Sequence, residues 1–144
     1  MSLNKGRSTV PFTTFLKQAK STPFKWGSND CCLFAANAVM AITGVDLADD
    51  FRGKYTDEAS AFALIKTVTG GTTVADAAAH CATKHGLTEY AHPLMAKRGD
   101  LVVIQNGSNL IAGVVHLNGR QVVSVNDQGI VRLPITAITR SWSI

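Results

Sequence analysis

The chain has 144 residues, of which 46% are hydrophobic and 17% charged, and its formal net charge is +4. This length and composition are typical of one globular domain spanning residues 1–144. There is no run of 18 apolar residues, which excludes a membrane span, and the lysines and arginines are scattered, which argues against nucleic-acid binding.

The first residues and the cysteines indicate the compartment. Residues 1–8 lack the apolar core of a signal peptide and are expected to be disordered. The three cysteines (Cys31, Cys32 and Cys81) show no metal-ligand spacing, and adjacent cysteines do not bridge easily. We therefore expect a reduced protein without disulfides, metal or cofactor, located in the cytoplasm.

Helices are predicted in the first part of the chain, where apolar residues recur at helical spacing. The predicted ranges are 9–20 with Thr9 as a cap, 31–43 ending at Gly44, 57–68 starting at Asp57, and 74–84 capped by Thr72 or Thr73. The connector 45–55 is acidic but lacks the pattern of a calcium loop, so a solvated loop is favoured. His80 and His85 are five residues apart, which does not place them on one helix face as a metal pair.

After residue 94 the pattern changes to short apolar runs separated by turns. Strands are predicted at 101–104, 110–117, 121–125 and 130–133, followed by a short helix from Pro134 to about residue 139 and a tryptophan, Trp142, that packs back onto the core. Helices followed by an antiparallel meander predict an α+β fold, with the helices packed on a sheet of four or more strands.

The stretch 24–40 contains the main candidate site. The turn 26–30 offers three good capping residues immediately before Cys31, so this cysteine is predicted in the first turn of a buried helix. The helix dipole and free amides there stabilise a thiolate, which is one way to make a cysteine reactive. The alternative is that Cys31 and Cys32 are small buried hydrophobic residues.

Three motifs in order resemble the NlpC-type cysteine peptidases, which have a papain-like fold. The first is an aromatic-Gly turn, with Phe24 and Trp26, that leads to Asp30 and Cys31. The second is the Gly-Asp-Leu-Val strand at 99–102. The third is the hairpin that contains Gly113 and the sequence 118–120. The chain looks closest to uncharacterised phage and prophage proteins of this fold that are found among tail genes. The resemblance implies a cell-wall peptidase fold with Cys31 at the nucleophile position.

The chain departs from the family where catalysis requires polar groups. The position of the catalytic histidine is Ile111, the orienting position falls near Val123, and the upstream tyrosine position is Phe24. His116 is a candidate substitute base, but its odd offset from Ile111 predicts the opposite face of the strand. His92, in the loop before the sheet, is a weaker candidate.

Three hypotheses follow. The first is a degenerate NlpC-like protein of the bacterial cytoplasm or virion that serves phage tail assembly or structure, with other tail subunits as partners. The second is an active cysteine hydrolase that cuts cell-wall peptides through Cys31 and a relocated histidine. The third is a binding module that uses a cleft lined by Phe24, Trp26, Asp30, Cys31 and Ile111.

Overall fold

The computed structural model describes residues 3–6 and 8–144, with helices in the first half and strands in the second. Its elements are α1 (Val10–Ala19), α2 (Cys31–Thr43), α3 (Glu58–Thr69), α4 (Val74–Lys84), β1 (Thr88–Glu89), β2 (Leu101–Asn106), β3 (Asn109–Val115), β4 (Gln121–Asn126), β5 (Gly129–Pro134) and β6 (Ile138–Ser143). Short 3₁₀ helices at Pro93–Met95 and Ile135–Ala137 precede β2 and β6. Within the described residues, four α-helices accompany one six-stranded antiparallel sheet, which confirms the α+β class.

Local capping signals set most of the helix boundaries. Asp30 accepts a hydrogen bond from the Leu33 amide at the start of α2, and Gly44 ends this helix with a φ of 79°. Asp57 and Thr73 each form a capping box with the third residue of the helix that follows. These bonds satisfy amides that have no partner within the helix, so the predicted starts of α2, α3 and α4 are confirmed.

The start of α1 differs from the prediction. The Thr9 side chain makes no capping hydrogen bond, and the Ser8 hydroxyl accepts from the Val10 amide at 3.2 Å. Pro11 lies in the first turn, where its missing amide hydrogen costs no helical bond.

The sheet has the strand order β1-β6-β2-β3-β4-β5. The predicted helix over 134–139 is wrong, because after the 3₁₀ turn the chain continues as β6, which pairs with β2 on one side and β1 on the other. Trp142 lies on this strand and is only 3% exposed, so its predicted packing against the core is confirmed.

The main core lies between the helices and one face of the central strands, and a separate apolar cluster lies on the other face. Leu33 and Phe34 of α2 are fully buried, and each contributes about 1.5–3 kcal/mol to stability by leaving water. On β3, Ala112 and Val114 belong to the helix-facing core, whereas Ile111 and Val115 belong to a second apolar cluster. This alternation is the two-residue period of a strand.

The described residues at the start of the chain contact the folded body of the protein. Leu3 packs against the main core, and the Lys5 ammonium lies 2.7 Å from the buried Asp100 carboxylate. The expectation of disorder over 1–8 falls in part on Met1, Ser2 and Arg7, which lie outside the described residues.

Candidate functional site

Asp30 organises the start of α2. Its carboxylate accepts hydrogen bonds from the backbone amides of Leu33 and Gly27, both at 3.0 Å, and from the Tyr55 hydroxyl at 2.5 Å. The residue is 1% exposed, so these donors replace water around a buried charge. The arrangement joins the turn, the helix and the connector that carries Tyr55.

The turn before Asp30 depends on Gly27. Its φ of 86° lies in the left-handed region, and a Cβ at this position would lie 2.5 Å from the Tyr55 carbonyl oxygen. Glycine therefore satisfies both the backbone conformation and the close approach. The Asn29 side chain donates to the carbonyls of Thr22 and Pro23 and holds the turn against the segment that follows α1.

The Cys31 thiol lies at the amino end of α2, as predicted, and is half-buried. Hydrogen bonds from the Cys32 thiol and from the Ala112 amide lower the pKa of Cys31, against the opposing effects of burial and of the Asp30 charge. The same thiol–thiol bond and burial raise the pKa of Cys32. Burial raises the pKa of Cys81 to about 12. The site therefore stabilises the thiolate form of Cys31 more than those of Cys32 and Cys81.

A cavity of about 340 Å³ opens beside Cys31. It lies between α2, α3, α4 and the ends of β3 and β4, and its volume falls within the range of about 300–1,000 Å³ typical of small-molecule pockets. Phe24, Trp26, Asp30 and Cys31, four of the five residues predicted to line a cleft, border it. The fifth, Ile111, does not belong to the lining, because it packs in a separate apolar cluster. The structure therefore brings these four predicted residues together.

Close approach of β3 and β4 helps to shape one side of this cavity. The strands pair at Val114–Val123 and Val115–Val122. A Cβ on Gly113 would lie 2.5 Å from the Val123 carbonyl oxygen, so glycine is needed for this approach. Beyond the paired residues, the cavity is bordered by Asn109, Leu110 and Ala112 of β3, by Asn126 at the end of β4, and by Asp127 directly after it.

The expected position of a catalytic histidine is apolar. Ile111 is 8% exposed and lies in a cluster with Val102, Ile104 and Val115, and Cys31 packs against this cluster. The environment there is hydrocarbon, which cannot accept a proton from the thiol.

Neither candidate substitute base belongs to the cavity lining. The His116 Nδ1 accepts from the Asn118 amide, and burial together with Arg132 and Lys20 lowers the pKa of His116. The His92 Nδ1 accepts from the Leu94 amide and caps the first 3₁₀ helix. Among the residues that the structure describes, no histidine lines the cavity.

The acidic connector forms ion pairs on the surface. Asp46 accepts two hydrogen bonds from Arg52, and Asp49 and Asp50 contact Lys84. In the same network, His80 Nε2 lies 2.8 Å from an Asp50 oxygen and His85 Nε2 lies 3.0 Å from an Asp49 oxygen. In residues 3–6 and 8–144, no group of three or more potential ligands is placed to hold a metal ion.

Comparison with known proteins identifies a family without a known activity. The model of a domain of unknown function, DUF6950, matches residues 8–144. The chain belongs to the DUF6950 family. No curated protein sequence matches it significantly. Over the described part of this DUF6950 protein, none of the helices has the length and apolar character needed to cross a membrane.

Several cavity residues were not predicted from the sequence. Tyr55 ends the acidic connector and bonds to Asp30 across 25 positions, while Glu58 of α3 and Asp127 of the β4–β5 turn border the cavity from opposite halves of the chain. An isolated tyrosine or an exposed acid carries no local signal for such a role.

Proposed function

We propose that this protein is a degenerate relative of the NlpC-type cysteine peptidases that serves phage tail assembly or structure. The ordered motifs at 24–31, 99–102 and 113–120 support the relationship. So does the arrangement of a buried helix that begins with a cysteine and packs on an antiparallel sheet. The tail role and the location in the bacterial cytoplasm or virion rest on the resemblance to tail-region proteins.

The proposed loss of catalysis rests on one observation. The Cys31 thiol borders a cavity whose described lining lacks an imidazole. A thiolate can still react with an alkylating reagent. Peptide cleavage also needs a proton for the leaving amine, and general acid–base catalysis contributes about 10²- to 10⁴-fold to such a step. The site therefore retains a nucleophile without the group that makes cleavage efficient.

A second candidate is an active cysteine hydrolase that cuts bacterial cell-wall peptides. The lowered pKa of Cys31 and the amide of Ala112 that points at its sulfur favour it. In this hypothesis a histidine, either His116 or His92, would have to approach the thiol when substrate binds. The two hypotheses differ in whether a histidine controls the reactivity of Cys31.

The deciding experiment is the pH dependence of iodoacetamide labelling at Cys31, mapped by peptide mass spectrometry. We expect Cys31 to label below the ordinary thiol pKa of about 8.5. We expect the same profile in His116→Ala and His92→Ala, because neither imidazole lines the cavity. A histidine variant that shifts the Cys31 profile to higher pH would reveal a thiolate–imidazolium pair and favour the hydrolase.

The tail role has its own test in a phage or lysogen that carries the gene. Deletion is expected to abolish complete tails, and both wild type and Cys31→Ala are expected to restore them. Intact tails after deletion would overturn the structural role. Restoration by wild type but not by a stably folded Cys31→Ala variant would mean that the thiol chemistry is required.

A further inference from the structure

The cavity beside Cys31 is built to enclose an apolar body. Among its described lining residues, seven are alanines, whose short side chains leave the space open. Five aromatic side chains also border it: Phe24, Trp26, Phe51, Tyr55 and Phe62. Phe24 and Trp26 stack edge to face with ring centroids 5.2 Å apart. A pocket with these walls favours a ligand with an aliphatic or aromatic part.

The charged groups at this cavity all carry the same sign. Asp30 lies in its wall, and Glu58 and Asp127 are exposed where they border it. Within the described lining there is no lysine, arginine or histidine, although the chain as a whole has a net charge of +4. The charged side chains that border the cavity are therefore all acidic, in contrast to the positive net charge of the molecule.

The buried charge of Asp30 lacks an ionic partner among the described residues. The donors that hold it are two backbone amides and a phenol, which are all neutral. The guanidinium of Arg52 donates two hydrogen bonds to Asp46 at 2.9 and 3.0 Å, and these bonds are the main reason that the pKa of Arg52 is raised; the charge of Asp30 contributes less to it. A cation inside the cavity would therefore gain attraction that no described lining side chain already supplies.

We propose that this cavity binds an organic cation, a primary ammonium group carried on a short aliphatic or aromatic body. The carboxylates of Glu58 and Asp127 attract the ammonium group at the border of the cavity, and the aromatic faces add cation–π attraction. The alanine-rich interior accepts the apolar part. The inference goes beyond the proposed function, because it concerns what the cavity holds and stands whether or not the protein serves in a tail.

The test is isothermal titration calorimetry of the full chain with three probes of equal length: hexylammonium, hexanoate and 1-hexanol. We expect saturable binding of hexylammonium, with hexanoate at least about tenfold weaker, because its charge meets carboxylates. Hexanol is expected to lie between them. Equal or tighter binding of hexanoate, or no binding of hexylammonium, would overturn the proposal.

A double charge variant, its matched control and a cavity-filling variant locate the site. Glu58→Gln combined with Asp127→Asn should reduce the preference for hexylammonium over hexanoate several-fold, whereas Glu89→Gln, an exposed acid outside the cavity lining, should leave it unchanged. Ala78→Phe should fill the cavity and abolish binding. If circular dichroism shows that Ala78→Phe does not fold, the binding preference of the double charge variant tests the proposal instead. If the double variant kept the same preference for hexylammonium over hexanoate, the proposed cation site would be refuted. The outcomes of the labelling and tail experiments do not depend on this result.

Discussion

At the scale of single residues, Asp30 has more structural roles than the thiol beside it. Its carboxylate caps α2, closes the turn at Gly27 and accepts from Tyr55 while almost fully buried. Each donor compensates part of the cost of removing a charge from water. The orientation of Cys31 therefore depends on the donors around its neighbour.

Tyr55→Phe is expected to destabilise the protein by about 1.5–3 kcal/mol, the range for a hydrogen bond to a charged group. The change removes the hydroxyl that bonds to Asp30 at 2.5 Å and keeps the ring that packs in the core. Urea denaturation measures the loss. In an Asp30→Asn background, Tyr55→Phe should lower the free energy of unfolding by less. An equal loss in both backgrounds would show that the hydroxyl does not act through Asp30.

Ile111→His is expected to increase the thiolate fraction of Cys31 at neutral pH. Cys31 packs against the cluster that contains Ile111, so an imidazole there would lie near the sulfur and stabilise its charged form when protonated. Iodoacetamide labelling should then begin at lower pH than in wild type. Ile111→Gln is the matched control, since it introduces polarity without a base. Equal profiles for the two variants would contradict the alignment of Ile111 with the histidine position.

The sequence predicted the candidate site in part. Cys31, Asp30 and the two aromatic residues before them lie in one local stretch, where capping rules and helical periodicity apply. Glu58 and Asp127 reach the same cavity through the tertiary fold, and no local pattern distinguishes them from other exposed acids. Local signals therefore predicted the nucleophile position and missed the groups that set the charge of the cavity.

At the scale of elements, β6 shows where local signals mislead. Pro134 and the residues after it suit the first turn of a helix, yet the helical turn ends at Ala137. The strand that follows pairs with β2, more than thirty residues earlier, and with the short β1. Such pairing depends on residues that are distant in the sequence. The caps of α2, α3 and α4, in contrast, depend on residues within about four positions of each other.

Gly113→Ala is expected to destabilise the protein by about 1–3 kcal/mol, the usual cost of overpacking. The new Cβ would lie 2.5 Å from the Val123 carbonyl oxygen and 3.2 Å from the Ser124 Cβ, so β3 and β4 would have to move apart. Thermal unfolding followed by circular dichroism measures the change. Adding Ser124→Gly should not rescue stability, because the backbone contact remains and the buried Ser124 hydroxyl, which donates to the Ala112 carbonyl, is lost as well. Full rescue would show that the carbonyl contact is unimportant.

At the scale of the whole molecule, Asp100 joins segments that are distant in sequence. This fully buried carboxylate accepts from the Tyr90 hydroxyl at 2.6 Å, from the amides of Lys97 and Ile144, and from the ammonium of Lys5. It thereby connects the first described residues with the last one and with the loop before β2. Buried charges of this kind depend on every donor that surrounds them.

Lys5→Met is expected to lower the free energy of unfolding by about 1–3 kcal/mol, because it leaves the buried Asp100 charge without its cation while three neutral donors remain. The ammonium also donates to the Arg98 carbonyl at 2.8 Å, and this contact is lost with it. Urea denaturation measures the loss, and Lys54→Met, an exposed lysine, is the matched control. In an Asp100→Asn background the cost of Lys5→Met should shrink, because the pair is already broken. Equal stability of the Lys5 and Lys54 variants would mean that the first described residues do not hold this buried charge in solution.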